Sequence, residues 1–243
     1  MTVRLHVNID HVATLRRLRD TRYPDLVTAA RTCLGAGARG ITMHLREDRR
    51  HVTDADVDAV RKVVADSGAV FNLEMALTEE MVSIASRLRP DVATLVPERR
   101  EERTTEGGLD VALGERAVTA AAARLASAGI RVSLFVNPDF AQIEAAARTG
   151  ARTVELHTGE YCGATDGAEK ARELARLAAA AQRAGALGLE VAAGHGLYYD
   201  DVGPVAAITE VVELNIGHGI VCRAVEVGLE KAVREMVAAM GPR

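Results

Sequence analysis

The 243-residue sequence predicts a (β/α)8 barrel, in which eight parallel strands close into a ring surrounded by helices. Eight short apolar runs are spaced along the chain, and segments with helical periodicity separate most of them. Six of the seven histidines fall at or shortly after the ends of these runs: His11, His44, His51, His157, His195 and His218. Side chains so distant in sequence meet only if the strands lie parallel around one opening. A doubly wound open sheet is the second choice.

The eight predicted strands are rich in apolar and β-branched residues. They cover residues 5–9, 40–43, 70–73, 92–96, 132–136, 153–156, 189–193 and 211–216. Alternation of strand and helix repeated eight times over a chain of this length is typical of the barrel, whose catalytic groups gather at the C-terminal ends of its strands. We expect one barrel domain over residues 1–243.

The helical segments carry apolar stripes that are expected to pack on the sheet. The first stripe consists of Leu26, Ala29, Ala30, Cys33 and Leu34, and the second of Val57, Val60, Val63 and Val64. Thr53 and Asp56 have the spacing of a capping box, and Pro24 suits a first helical turn.

Composition excludes several classes of protein. Hydrophobic residues make up 48% of the chain, and no run of about 18 apolar residues offers a membrane span. The N-terminus enters a strand directly and lacks the pattern of a secretory signal, while three widely spaced cysteines suit reduced thiols. A net charge of −4 argues against a broad nucleic-acid footprint. We expect a cytoplasmic protein that binds neither membranes nor nucleic acid.

One predicted connection is unusually long. After the fourth strand, residues 97–108 read PERREERTTEGG, a polar segment that ends in two glycines. Such loops commonly serve as active-site lids, so we expect this one to close over the opening and exclude water.

The segment HLREDRRH, residues 44–51, follows the second strand directly. It combines His44 as a titratable base with Arg46 and His51 as anion-binding groups, a mixture that suits a phosphorylated substrate. Basic runs are usually solvated surface charge, so four further arginines stay outside the predicted site: Arg49, Arg50, Arg99 and Arg100.

The segment NIDHVATLRRLR, residues 8–19, ends the first strand and supplies a second polar rim. Asn8, Asp10 and His11 are expected at the opening. Three arginines are expected in a loop beyond them: Arg16, Arg17 and Arg19.

The remaining chemical groups follow the third, seventh and eighth strands. Glu74 is the best candidate for a general base, because a buried carboxylate has a raised pKa. The turns GHG, residues 194–196, and NIGHG, residues 215–219, expose backbone N–H groups beside His195 and His218, which is the usual phosphate position of this fold. Glu155 and His157 are expected to support the site rather than react.

Lysine is scarce, and the three that exist, Lys62, Lys170 and Lys231, fall in predicted helices away from the strand ends. A Schiff base between the protein and a carbonyl substrate is therefore disfavoured, and acid–base catalysis remains.

Several strings, taken together and in order, resemble the pyridoxine 5′-phosphate synthase family over nearly the whole chain. They are NIDHVATLR, HLREDRRH, NLEM, LVPERR, TTEGGLDV, AGHGL and ELNIGHGI. The resemblance implies a transferase of vitamin B6 biosynthesis that condenses 1-deoxy-D-xylulose 5-phosphate with 3-amino-2-oxopropyl phosphate. The products are pyridoxine 5′-phosphate, phosphate and water. It implies no metal or organic cofactor, and a homo-oligomer, most often an octamer.

The resemblance also implies roles for single residues. His44 and Glu74 match the proton acceptors of the family, and His195 matches its proton donor. The deoxyxylulose phosphate is expected to bind Asp10, His11, Arg46, His51 and Thr104. The amino ketone phosphate is expected to bind Asn8, Arg19, Gly196, Gly217 and His218. The chain departs from the family pattern at His6, where glycine is common, and around Asn137, Pro138 and Cys162.

Two other functions stay open at this point. One is a metal-dependent aldolase or isomerase on the same barrel, with Asp10, His44, Glu74 and His195 as ligands. The other is a non-catalytic phosphate-binding barrel that acts as a scaffold or sensor, because this fold hosts many functions.

Overall fold

The computed structural model describes residues 2–19, 21–98, 102 and 107–242. Eight parallel strands pair in sequence order, and the ring closes where the first strand pairs with the eighth. The strands are β1 (Arg4–Asn8), β2 (Gly40–His44), β3 (Val70–Met75), β4 (Val92–Leu95), β5 (Arg131–Val136), β6 (Thr153–His157), β7 (Glu190–Gly194) and β8 (Val211–Ile216). The predicted fold class is confirmed, and the ends of the predicted strands lie within two residues of the observed ones.

Helices surround the ring and bury their apolar stripes against it. They are α1 (Asp10–Arg17), α2 (Leu26–Gly35), α3 (Asp54–Ser67), α4 (Glu79–Leu88), α5 (Val111–Ser127), α6 (Phe140–Arg148), α7 (Gly159–Gly163), α8 (Gly167–Ala186), α9 (Val202–Ala206), α10 (His218–Val227) and α11 (Leu229–Ala239). Within the described ranges, none of these helices combines the length and the hydropathy needed to cross a bilayer.

Two helix starts test the predicted caps. The Thr53 side chain accepts from the backbone N–H of Asp56, and the Asp56 side chain accepts from the backbone N–H of Thr53, which confirms the capping box at α3. The placement of Pro24 is wrong, because α2 begins only after Asp25, whose carboxylate caps it. The predicted phosphate-binding segment ends at His51, two residues before the cap residue Thr53. The α3 cap therefore fixes the chain just after this segment.

The barrel interior holds a chain of hydrogen bonds between polar side chains. Thr94 Oγ1 donates to Asn72 Oδ1 at 2.8 Å, and Asn72 Nδ2 donates to Thr42 Oγ1 at 3.3 Å. Thr42 Oγ1 donates to Asn215 Oδ1 at 2.9 Å, and Asn215 Nδ2 donates to Glu155 Oε2 at 2.9 Å. Because buried polar groups are costly unless paired, this interior chain of β2, β3, β4, β6 and β8 residues fixes the Glu155 carboxyl group.

The family departure at His6 lies deep in the barrel, two residues before the end of β1. Its buried ring lies 3.2 Å from Glu213 Oε1 through Nδ1. Gly40 on the neighbouring strand makes the room, because a Cβ atom there would lie 2.6 Å from the ring. The histidine is thus accommodated without involving the C-terminal ends of the strands.

The α3 capping box predicts a measurable loss of stability. Thr53→Ala removes the acceptor for an unpaired backbone N–H and should lower the free energy of unfolding by about 1 kcal/mol. Urea denaturation measures the change. Thr119→Ala is the control, because this exposed residue lies inside α5, and its hydroxyl donates only to a carbonyl of its own helix. Equal stability of Thr53→Ala and the wild type would contradict the assigned cap.

Candidate active site

The C-terminal ends of the strands surround an open cavity of about 570 Å³. Eight residues of the predicted site line it: Asn8, His11, His44, Glu74, His195, Gly196, Gly217 and His218. They come from β1, β2, β3 and the turns after β7 and β8, with His11 in the first turn of α1. Closure of the ring therefore brings the two ends of the sequence together at one cavity.

Asp10, His44 and Glu74 form a compact group on one side of the cavity. The Asp10 carboxylate accepts from the backbone N–H of His44 at 3.0 Å and from Asn8 Nδ2 at 3.0 Å. Asn8 Nδ2 also lies 3.4 Å from Glu74 Oε2, and His44 Nδ1 lies 4.0 Å from the same oxygen. The imidazole and the carboxyl group predicted as proton acceptors are thus neighbours.

Burial raises the pKa of three carboxyl groups around the cavity. Burial raises the pKa of Glu74 well above its ordinary value, and the charges of Glu155 and Asp10 raise it further. Burial also raises the pKa of Asp10, against the opposing effect of His44. The pKa of Glu155 is raised to about 8, by burial first and then by the Glu213 charge. A carboxyl group that stays protonated near neutral pH can donate a proton as well as a hydrogen bond.

The GHG turn after β7 packs against Glu155. A Cβ atom at Gly194 would lie 2.3 Å from Glu155 Oε1, so a larger residue there would displace the carboxyl group. His195 has a φ of 73°, a left-handed conformation that is strained for a non-glycine residue, and Gly196 follows at 90°. Thr158 Oγ1 holds the turn by donating to the His195 carbonyl at 2.6 Å. The turn aims a histidine into the cavity at a conformational cost.

Glu155 and His157, which were expected to support the site, both line the cavity wall. Burial lowers the pKa of His157 to about 4, with a further effect of His195, so this imidazole is neutral. Its ring centroid lies 5.0 Å from that of His195 and 5.2 Å from that of Phe135. On β6, His157 pairs with Gly194 and Glu155 with Ala192 of β7, which places both residues beside the GHG turn.

The NIGHG turn after β8 forms the rim next to the end of β1. His218 opens α10, and its Nδ1 lies 2.7 Å from the Tyr198 hydroxyl. The His11 and His218 ring centroids are 5.0 Å apart. A Cβ atom at Gly217 would lie 3.0 Å from Asn8, so glycine allows this close approach of the turn to β1. The backbone N–H groups at the start of α10 suit a phosphate.

The predicted anion-binding groups differ in their placement. Arg46 lies close to the cavity group, with Nη2 3.9 Å from Glu98 Oε2. His51 is 3.0 Å from Thr14 Oγ1 through Nδ1. Arg19 is exposed beyond the end of α1 and does not line the cavity. Thr104 lies outside the described residues, as does most of the long loop in which it stands.

The loop expected to carry Arg16 and Arg17 is instead the last turn of α1. The chain enters this helix directly after β1, so both arginines point to neighbouring segments. Arg16 makes a two-pronged ion pair with Asp56 at 2.7 and 2.6 Å, and Arg17 donates to the carbonyls of Arg49 and His51. These arginines hold the segment after β2 against α1.

Sequence reasoning gave no role to Glu98, although the string LVPERR that contains it contributed to the resemblance. Its side chain is nearly buried and accepts from His44 Nε2 at 2.8 Å. Arg99 and Arg100, the next two residues, lie outside the described residues. Nothing in the spacing of the string marks its glutamate as a partner of a residue on another strand.

Donor atoms of Asp10, His44 and Glu74 lie within 4.8 Å of one another. Such a group could hold a cation, and it contains three of the four ligands that the metal-dependent alternative requires. The same three groups are equally suited to proton transfer without a metal, so an experiment has to distinguish the two.

A comparison with known families decides between the broad alternatives. The model of the family described as pyridoxal phosphate biosynthesis protein PdxJ matches residues 5–242. The chain belongs to this family. The resemblance seen in the motifs is therefore confirmed over the full length of the barrel.

Full-length relatives agree with the family assignment. A pyridoxine 5′-phosphate synthase from Caulobacter vibrioides is 54% identical over 243 residues, covering 99% of this chain and 96% of that protein. One from a Synechococcus species is 58% identical over 237 residues, covering 98% of each chain. These relatives confirm the expectation that the chain is an enzyme.

Solved structures with little sequence identity share the fold. KGPDC from Streptococcus mutans superposes with a TM-score of 0.66 at 13% identity, covering 99% of this chain and 98% of that one. Phosphoribosyl anthranilate isomerase from Thermus thermophilus gives 0.60 at 17% identity, covering 98% of each chain. At this level of identity the likeness concerns the barrel alone.

The raised pKa of Glu155 predicts a pH-dependent stability. The folded protein keeps this carboxyl group protonated up to about pH 8, whereas the unfolded chain releases the proton near the ordinary value of 4.5. This contribution to stability is therefore complete below pH 4.5 and is lost as pH rises toward 8. Because Glu155→Gln keeps a neutral side chain, its melting temperature relative to the wild type should rise by several degrees between about pH 5 and pH 8.

Thermal unfolding followed by circular dichroism measures this difference at each pH. Glu115→Gln is the control, because the hydrogen bond from Arg148 holds the pKa of Glu115 below its ordinary value. Glu115 is therefore ionised throughout the range, and its variant should show a constant difference from the wild type. A constant difference for Glu155→Gln as well would show that Glu155 is not protonated at neutral pH.

Proposed function

We propose that this chain condenses 1-deoxy-D-xylulose 5-phosphate with 3-amino-2-oxopropyl phosphate to pyridoxine 5′-phosphate, releasing phosphate and water. The family and the names of the relatives support this reaction. The observation that carries it is the meeting of two protonatable carboxyl groups, Glu74 and Glu155, with two imidazoles, His44 and His195, in one cavity. A ring-forming condensation needs several proton transfers at one place, and this group can supply them.

The first step joins the two substrates to each other. The amine of the amino ketone attacks the ketone carbon of the deoxyxylulose phosphate, and loss of water gives an imine between them. The positions of the lysines support this order, since Lys62, Lys170 and Lys231 lie in α3, α8 and α11 and none of them lines the cavity. Among the described residues, the cavity lining therefore offers no lysine amine that could form the imine instead.

The later steps move protons. His44 and Glu74 accept protons in successive transfers, the first of which removes a proton from the carbon beside the imine and gives an enamine, and His195 donates protons to the leaving groups. Glu155, protonated near neutral pH, is placed to donate a hydrogen bond to an oxygen that gains negative charge. Phosphate and water are then expelled, and an aldol-type attack closes the ring to the aromatic product.

The phosphates of the two substrates occupy separate positions on the rim. Arg46 and His51, with Asp10, His11 and Thr104, bind the deoxyxylulose phosphate. The amino ketone phosphate binds the NIGHG turn, where Gly217 and His218 present the N-terminus of α10. Asn8, Arg19 and Gly196 complete this second set. Because Arg19 is exposed and outside the cavity lining, its role requires movement of the segment after α1 or an assembled protein.

The cellular setting is part of the same proposal. Three free cysteines among the described residues suit the cytoplasm, where small phosphorylated metabolites are found. A homo-oligomer, an octamer as the family resemblance implies, is the proposed assembly.

Glu74 gives the most direct test of the proposed proton transfers. Glu74→Gln keeps the shape of the side chain but cannot accept a proton, so kcat should fall at least about 100-fold. Glu80→Gln is the control, because it removes an exposed carboxylate that pairs with Arg49 at the surface. Steady-state kinetics with both substrates measure the effect, and circular dichroism checks the fold. A folded Glu74→Gln protein with near-normal turnover would remove Glu74 from the mechanism.

Product formation by metal-free protein separates this proposal from its rivals. After treatment with a chelator, the protein mixed with both phosphorylated substrates should still form the pyridine chromophore at an unchanged rate. Activity that is lost on chelation and restored by a divalent cation would favour a metal held by Asp10, His44 and Glu74. Absence of product under all conditions would favour a non-catalytic scaffold.

A further inference from the structure

Glu98 stands three residues after the end of β4 and reaches across to the end of β2. Its side chain is 4% exposed, and Oε1 accepts from His44 Nε2 at 2.8 Å. The other oxygen, Oε2, accepts from the backbone N–H of Glu47 at 3.1 Å and lies 3.9 Å from Arg46 Nη2. The backbone N–H of Glu98 donates to Glu102 Oε2 at 2.9 Å. The carboxylate is thus fixed from both segments.

Glu98 is ionised, which settles the direction of its hydrogen bond to His44. Burial alone raises the pKa of Glu98, but the hydrogen bond from His44, the charge of that ring and the backbone N–H of Glu47 hold it below its ordinary value. An ionised carboxylate only accepts hydrogen bonds, so the proton of this contact sits on Nε2 of His44. When the ring carries a single proton, the second ring nitrogen, Nδ1, then carries the free electron pair.

The free nitrogen faces the cavity group. His44 Nδ1 lies 4.0 Å from Glu74 Oε2, and the His44 backbone N–H is held by Asp10. In the part of the chain that the structure describes, the contact with Glu98 is the one hydrogen bond made by the His44 ring. If it were lost, the ring could rotate or move its proton to Nδ1, and it would then no longer present an acceptor to the cavity.

We propose that Glu98 is a positioning residue that holds His44 with Nε2 protonated and Nδ1 free to accept the substrate proton. The arrangement follows the logic of a carboxylate that orients a catalytic imidazole through the nitrogen facing away from the substrate. It also joins the start of the segment after β4 to the base on β2, so that the two segments are held together at the cavity. This inference deepens the proposed function and rests on it.

The test compares the wild type with Glu98→Gln and Glu98→Ala. Glutamine keeps the shape but loses the charge, and its amide can satisfy either tautomer of His44. We expect kcat to fall at least about tenfold in Glu98→Gln and further in Glu98→Ala, with KM for both substrates changed less than about threefold. Glu80→Gln is the matched control, because it removes an exposed carboxylate that pairs with Arg49 in the same segment as Arg46. Its kcat should equal that of the wild type.

Nitrogen NMR of the histidine side chains gives a second readout that does not depend on any Glu98 variant being folded. The His44 signals are assigned from their absence in His44→Gln. In the wild type, the singly protonated form of the ring should carry its proton on Nε2, and in Glu98→Gln that preference should weaken. A wild-type ring protonated on Nδ1, or a folded Glu98→Gln protein with kcat within twofold of the wild type, would overturn the inference. If the wild type forms no pyridine product at all, the proposed function fails instead.

Discussion

The site depends on one electrostatic constraint: three carboxyl groups are buried at one end of a closed barrel without a matching set of cations. Among the described residues, the ion-pairing partner of Asp10, Glu74 and Glu155 is limited to His44, at 4.0 Å from Glu74. Arg46, the nearest candidate in the segment after β2, is directed to Glu98 and Asp48 instead. Burial without a counter-charge disfavours the ionised form, so the pKa values of these groups rise together. A carboxyl group with a raised pKa is a stronger base when ionised and a proton donor when protonated, and a multi-step condensation requires both.

The barrel maintains this unfavourable arrangement by fixing the groups from behind. The interior chain of hydrogen bonds ends on Glu155, and Gly194 leaves the space that this carboxyl group occupies. His195 adopts a left-handed backbone conformation beside it, a strain that persists because the Thr158 hydroxyl and the glycines of the turn over-determine the geometry. The polar groups at the strand ends lower the stability of the fold. The apolar layer between strands and helices, where the largest side chains are fully buried, offsets this loss. The strand ends can therefore carry polar chemistry while the fold remains secure.

The sequence allowed the barrel and most of the site to be predicted, because both follow local rules. The apolar runs and their order determine the ring. The ring in turn brings together the residues that follow each strand, so His195 could be assigned to the site without any knowledge of its neighbours. Contacts between segments follow no such rule. The partnership of Glu98 with His44 joins two strand ends, and the helical position of Arg17 depends on how tightly the chain turns after β1. The prediction that Pro24 lies in a first helical turn was wrong for a related reason. The side chain of the next residue, Asp25, caps α2, so the helix begins only after it.

Titration of the glutamate carboxyl groups by carbon NMR addresses the central claim most directly. Protein labelled with ¹³C at the glutamate carboxyl carbon would be followed over about pH 3 to pH 9, with signals assigned from Glu74→Gln and Glu155→Gln. We expect the Glu155 signal to titrate with a midpoint near 8 and the Glu74 signal to titrate well above 4.5. If both signals titrate near 4.5, burial does not raise the pKa of these acids, and the electrostatic constraint at the strand ends does not exist.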